Sequence, residues 1–484
     1  MKRGISLILL VSMLLFVMVS CGESGADGEP ASKTTDGENA ADTETAEETS
    51  AEPDFPELTF NGEDVHFLTE ESGANQYTSI EIYAESMDGT LINDTVFQRN
   101  SIIEDRFDVH IAQTRVNDAA TVASNTIMAG DKTYDVVMPY LNNSVRNAVA
   151  GQYQNLLNIQ YLNLDNPWWD ARANENLQVG GKLYFTTGDI SILDNDCTMV
   201  IFFNKELIND FSFENPYDLV KSGAWTIDKM FEMAYAVTAD LNGDGKLTMA
   251  DDRWGLYCAG NVPHSLFFAS GERIVNTGAE GGLELVMNNP RSVDVVDKIL
   301  NYCISDQNLT GDFYESAKAF SNKRILFAGW ALVDIAFIRE SEYDFGILPY
   351  PKYDEAQTEY YNLISTGLVP GVSIPITNDS TDKAGLILEA MAYYSVDTLT
   401  KSYYDIALNN RYVRDRDSSD MLDIIFSTRV YDLGYIFNIG SLGTMIETMY
   451  NAKNTNFVST YERMQKAANK KLDEIVTAFT QAGN

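Results

Sequence analysis

Along residues 57–69, Leu58, Phe60, Val65, Phe67 and Leu68 are spaced around an Asn61-Gly62 pair, which predicts a hairpin entering a first strand. Residues 94–106 set Val96, Ile102 and Ile103 among charges at helical spacing, and residues 107–111 form a short strand-like run. A second helix is expected over 119–128, stopped by Gly130, and a third strand over 134–138. Strand, helix, strand, helix, strand with short links is the pattern of an α/β layer with a parallel sheet. Ligands of such sheets bind beyond the carboxyl ends of the strands. That rule singles out the loops after Leu68 and Met138, near Glu71 and Tyr140.

Further on, residues 183–187 and 199–203 read as strands, and 216–220 and 227–237 as helices. Thr226 is a good N-cap for the latter, with Asp228 in its first turn. Residues 292–306 and 311–321 are helical in pattern, and 324–327 and 345–349 are strands. From residue 381 the chain is expected to be mostly helical, including 420–426 and 461–480, and no internal repeat is present.

The N-terminus changes the picture. Lys2 and Arg3 precede an uncharged apolar stretch, 5–19, and then Met18-Val19-Ser20-Cys21. A basic start, an apolar stretch and a small residue at the cut define a signal peptide, here 1–20. The cysteine at the first mature position resembles the lipobox of bacterial lipoproteins, so Cys21 is expected to be acylated. The rival reading, an uncleaved membrane anchor, meets a run shorter than the roughly 20 residues that span a bilayer. Two or more acyl chains suffice for stable anchoring. The expected location is the extracellular face of the cell membrane, with contact to it only through the lipid on Cys21.

Residues 22–54 contain no aromatic and no large aliphatic residue, so they are expected to be a disordered acidic linker, 21–54 counted from the cysteine. Removing Lys2 and Arg3 with the leader takes the formal net charge from −37 to −39; eleven acids and Lys33 give the linker −10, leaving −29 on residues 55–484. Such a charge argues against nucleic acid or an anionic membrane as partner. About 430 residues suit more than one core. Besides Cys21, only Cys197, Cys258 and Cys303 occur, which leaves open one disulfide or three buried thiols.

The sharpest chemical motif is residues 240–251. Calcium takes six to eight oxygens around a tight loop. Asp240, Asn242 and Asp244 stand at positions 1, 3 and 5, Gly245 at the turn, and Lys246 offers a carbonyl at position 7. Thr248 and Asp251 complete positions 9 and 12, the last with Asp where EF-hands prefer Glu. Calcium is therefore expected, in a structural role. Catalytic patterns are sparse: His66 and His110 lie in expected strands, and no H-E-x-x-H, G-x-S-x-G or P-loop occurs, so no enzyme is expected. Aromatic rings stack on sugar faces, and of the five tryptophans Trp330, following a strand in Phe327-Ala328-Gly329-Trp330, is the best candidate contact. Each Trp is otherwise read as core.

Several phrases, in order along the chain, resemble the extracellular solute-binding proteins, family 1, of bacterial ABC importers. They are Tyr134-Asp135-Val136, Pro167-Trp168-Trp169-Asp170, Gly181-Lys182-Leu183-Tyr184, Phe203-Asn204-Lys205-Glu206-Leu207, Gly223-Ala224-Trp225-Thr226, Trp254-Gly255-Leu256 and residues 345–352. The resemblance implies a periplasmic-binding-protein-like (maltose-binding-protein-like) α/β fold, with two discontinuous lobes joined by crossover strands at 199–203 and 345–349. It implies a first lobe from 55–198 and 345–395, and a second from 199–344 with 396–484 chiefly on it. The implied cleft is lined by Glu71, Tyr140, Asp189, Asn261, His264 and Trp330, with Tyr350 at the hinge. The implied role is hinge-bending capture of a solute, a carbohydrate or oligosaccharide first, by a monomer that docks on permease subunits. A peptide or cationic solute, a surface sensor or adhesin, and a secreted hydrolase are the rivals.

Overall fold

Val65, Phe67 and Leu68 do turn into a core, in a strand Glu63–Glu70, but not as half of a hairpin. In the computed structural model, which describes residues 52–73, 75–278, 281–404 and 416–481, the Phe60 N–H donates to the Phe107 carbonyl and the Gly62 N–H to that of Asp108. Asn61 and Gly62, at φ 56° and 73°, therefore dock the chain on the end of the helix Leu91–Phe107 instead of folding it back on itself. The strand's neighbours are Val109–Val116 and Val136–Met138, both parallel, in the order expected for a β-α-β-α-β layer. Helix Ala119–Met128 links them, and the Asp118 carboxylate caps it by accepting from the Thr121 N–H at 2.9 Å.

The sheet is widened by a returning segment. Ser373 pairs antiparallel with Val137, Pro370 with Tyr140, and Thr186 with Val372. The expected strand at 183–187 is thus held by a bridge and not a ladder. Trp168 and Trp169 are core here: both indole N–H groups donate to Glu389 of the helix Thr381–Ser395, at 3.0 and 2.9 Å. The Asn163 N–H adds a further bond at 3.1 Å, so this buried carboxylate is filled by donors.

A second sheet runs Trp254–Tyr257, Ile325–Ala331, Met199–Asn204, Phe345–Leu348; the first pair is parallel and the other two antiparallel. Its two central strands are buried at every residue, and read as continuous apolar runs for that reason. The strand at Trp254–Tyr257 was not expected as one. Its Gly255 is required by the helix Ile227–Val237 above it, since a Cβ would lie 1.8 Å from the Ala234 carbonyl oxygen. Thr226 caps that helix as read, accepting from the Lys229 N–H.

Each sheet carries its own helices, which makes two lobes. The chain crosses between them at neighbouring places: Thr198 pairs with Ile364, and Asn362–Leu363 runs parallel to Arg429–Val430. Residues 396–484 do not all lie with the second sheet. Leu399 and Tyr403 join Ala84, Val96 and Ile192 in a small separate apolar cluster, against the helix Leu91–Phe107. The last helix, Phe457–Gln481, packs on the second sheet's helix Pro290–Cys303 and ends against the first lobe, where the Tyr184 hydroxyl donates to the Phe479 carbonyl at 3.3 Å. Among the described residues no helix is long and apolar enough to cross a membrane; Cys21 lies outside them.

Candidate functional site

Where the crossings meet, the lobes enclose a cavity of about 280 Å³. One wall is helix Asn261–Ala269, which presents Asn261, His264 and Ser265. A second is the turn Leu332–Phe337 after the strand Ile325–Ala331, which presents Asp334. From the first lobe comes Tyr77, in the long loop after Glu70, and residues near 445 contribute Glu447.

His264 is the most unusual of these groups. It is 5% exposed, and neither ring nitrogen has a hydrogen-bond partner. Its ring lies against Phe268 and Tyr435, with centroids at 5.1 and 4.7 Å. Burial among them pulls its pKa down to about 4, so it is neutral at physiological pH, with one N–H to give and one lone pair to fill. A buried polar group left so costs on the order of 1–3 kcal/mol, which a ligand bonding to it would return.

Asp334 is also buried. One oxygen accepts from the Tyr77 hydroxyl at 3.2 Å, the other from the Ala331 N–H at 3.1 Å. Burial raises its pKa to about 6, against the lowering effect of those two bonds. The Tyr77–Asp334 bond ties the two lobes across the cavity. Tyr140 supports it from behind, its hydroxyl donating to the Tyr77 carbonyl at 2.9 Å.

Of the residues read as cleft-lining, Asn261 and His264 reach the cavity and Tyr140 acts one contact behind it. Glu71 is exposed and does not reach it. The strand runs one residue further than expected, so its neighbour Glu70 turns inward instead, accepting from the Ala119 N–H at 3.2 Å. Asp189 belongs to another cluster, beside Asp194 and Arg429, where burial raises it to about 7. Trp330 is core: adjacent strand residues face opposite ways, and it is Ala331 that lines the cavity. The indole packs among Phe202, Tyr257, Phe313 and Phe320. Tyr350 is wholly buried behind Gly329, where a Cβ would lie 2.4 Å from its hydroxyl.

The loop at 240–251 has the expected backbone, with Gly245 at φ 79°. Its carboxylates also close the loop on its own backbone. Asp240 accepts from the N–H groups of Gly243 and Gly245 at 2.7 and 2.8 Å, and Asp244 from that of Lys246 at 2.8 Å. Asp252, one place past Asp251, takes the interior position, accepting from Leu241 and Thr248. Among the described residues no three His, Cys, Asp or Glu side chains converge as a metal ion requires. Cys197, Cys258 and Cys303 are buried free thiols.

No protein-family profile and no curated protein matches the chain in sequence. Solved structures match its fold. A cyclo/maltodextrin-binding protein complexed with maltotetraose aligns at TM-score 0.56 and 16% identity, over 87% of this chain and 97% of that one. RafE from Streptococcus pneumoniae, in its apo form, aligns at 0.53 and 14%, over 87% and 98%. The ABC substrate-binding protein Lmo0181 from Listeria monocytogenes, in complex with cycloalternan, aligns at 0.52 and 14%, over 87% and 99%. The fold is that of the two-lobed, maltose-binding-protein-like solute-binding proteins.

Proposed function

We propose that the chain is the solute-binding component of an ABC importer. It captures a carbohydrate or small oligosaccharide between its lobes, held at the extracellular face of the cell membrane by lipid on Cys21, and hands it to permease subunits. The observation that carries this reading is the interlobe cavity, whose wall holds a neutral, buried His264 with neither ring nitrogen hydrogen-bonded within the protein. A neutral donor–acceptor pair suits hydroxyl groups, which give and accept in the same way. Polar groups from both lobes on one cavity suit capture by closure, since binding then favours the closed state. The likeness of fold to proteins whose structures hold maltotetraose and cycloalternan supports the same ligand class.

A thermal-shift screen of sugars, peptides and amines on the full chain in mild detergent tests it. Ligand at about 100 times its Kd stabilises the folded state by about 2.7 kcal/mol. Sugars are expected to raise the melting temperature; a shift by peptides alone sinks the carbohydrate reading. The calcium reading of 240–251 is supported by its spacing and by the positive φ at Gly245. Its check is melting with and without a chelator: calcium is expected to raise the transition, and identical curves after thorough stripping remove it.

A further inference from the structure

The charges on the cavity wall are one-sided. Asp334 and Glu447 line it, and no Lys or Arg is among the described residues that do. Asp334 is 8% exposed, and its partners, the Tyr77 hydroxyl and the Ala331 N–H, are both neutral. A carboxylate offers about four acceptor positions, so capacity remains. A buried carboxylate is paired with a cation or filled by donors; elsewhere in this chain Asp170 and Asp194 have Arg429, and Glu389 has four donors. Asp334 has no cationic partner among the described residues. On the helix Asn261–Ala269, which also lines the cavity, His264 holds a neutral donor and acceptor that no group of the protein meets.

These two walls ask for different things. An anionic ligand would meet two carboxylates and no counter-charge. A wholly neutral polyol could hydrogen-bond to both His264 and Asp334 but would bring the carboxylate no counter-charge. A ligand with hydroxyls and an ammonium group satisfies both. We propose that the cavity selects a hydroxylated ligand bearing a protonated amine, an amino sugar or amino alditol, with Asp334 as the ammonium's partner and His264 as the partner of its hydroxyls. This deepens the carbohydrate-capture reading and rests on it. At about 280 Å³ the cavity is at the small end of ligand sites, which favours one or two rings over a long oligosaccharide.

The test is calorimetric titration of the full chain in detergent with matched sets: glucose, galactose and mannose, their 2-amino-2-deoxy and N-acetylamino counterparts, the uronic acids, and putrescine as an amine without hydroxyls. At least one amino sugar is expected to bind about tenfold or more tighter than its hydroxyl and N-acetyl counterparts, since charge-assisted bonds are roughly twice as strong as neutral ones. Asp334→Asn should close that gap. In the unmodified protein the gap, with affinities referred to the protonated amine, should also narrow between about pH 7 and about pH 5, as Asp334 protonates. That measurement stands even if the variant fails to fold. A neutral or acidic sugar binding as tightly as its amino counterpart overturns the amine and leaves carbohydrate capture intact. Putrescine binding with no sugar binding overturns carbohydrate capture, and no binding by any probe overturns both.

Discussion

Around Arg429, two buried carboxylates meet a guanidinium: Asp170 at 2.8 Å and Asp194 at 3.1 Å, with Asn195 taking another N–H at 2.7 Å and the Tyr431 hydroxyl donating to Asp170 at 2.8 Å. At the interlobe cavity, Asp334 is as thoroughly buried yet meets only a phenol and a backbone N–H, and His264 meets nothing. The first cluster fills its carboxylates from within and leaves only the Arg429 Nε–H without a partner. The second keeps donors and acceptors in reserve, at a cost in stability, where something else can complete them. Neither burial nor an unmet hydrogen bond alone marks a binding group, since the Trp330 indole and the Tyr350 hydroxyl also lack partners; His264 differs in standing on the cavity wall.

The largest test of that contrast is Arg429→Met. It leaves Asp170 and Asp194 buried without a counter-charge, so a loss of about 3–5 kcal/mol is expected in urea unfolding. A loss below about 1 kcal/mol would place the cluster on the same footing as an exposed pair. Next is His264→Leu, which removes the ring that nothing in the protein satisfies. Ligand affinity should fall about 10- to 100-fold, or about 1.4–2.7 kcal/mol, while unfolding stability holds or rises. A variant that loses stability and keeps affinity would make His264 a packing residue.

The smallest effect is in pH dependence. Burial raises Asp189 and Asp196 from 3.8 to about 7, and Asp194 and Asp334 to about 6. With folded-state values above the unfolded one, the native chain holds these protons longer, so their contribution falls as pH rises from about 4 to about 7. His264, pulled down by burial from 6.5 to about 4, acts oppositely: its contribution is lost as pH falls through that window. Four acids oppose one base. The melting temperature should be higher at about pH 5.5 than at about pH 7.5, by about 2 °C or more. Asp196→Asn, which keeps an acceptor for the Tyr403 hydroxyl, should reduce that difference; an unchanged slope counts against Asp196 as a source.

Much of the scaffold was legible because it rests on local rules. The apolar spacing of Val65, Phe67 and Leu68, the Thr226 cap and the stop at Gly130 depend on near neighbours in sequence. The site was not so accessible. Trp330 was expected just past a strand ending at residue 327, but the strand runs on to Ala331, and its parity turns Ala331 to the cavity. Tyr77 lies in a long loop without periodicity, where no pattern marks a residue that reaches the other lobe. Asp334 did leave a signal: it is the single charge in the apolar run 331–338, and a lone acid in such a run is the informative kind of exception. The calcium spacing shows the converse. Its glycine geometry formed as read, but the same oxygens that can hold an ion can close the loop on backbone N–H groups.

The bond from Tyr184 to the Phe479 carbonyl bears on how the lobes part. A helix of 25 residues, about 37 Å of stiff rod, packs beside the second sheet's helix Pro290–Cys303 and meets the first lobe at its tip. It is a strut placed away from the crossing strands. In the opening that the proposed capture requires, that tip must either peel from the first lobe or serve as a pivot, so the last turns of this helix bear on the amplitude of the stroke.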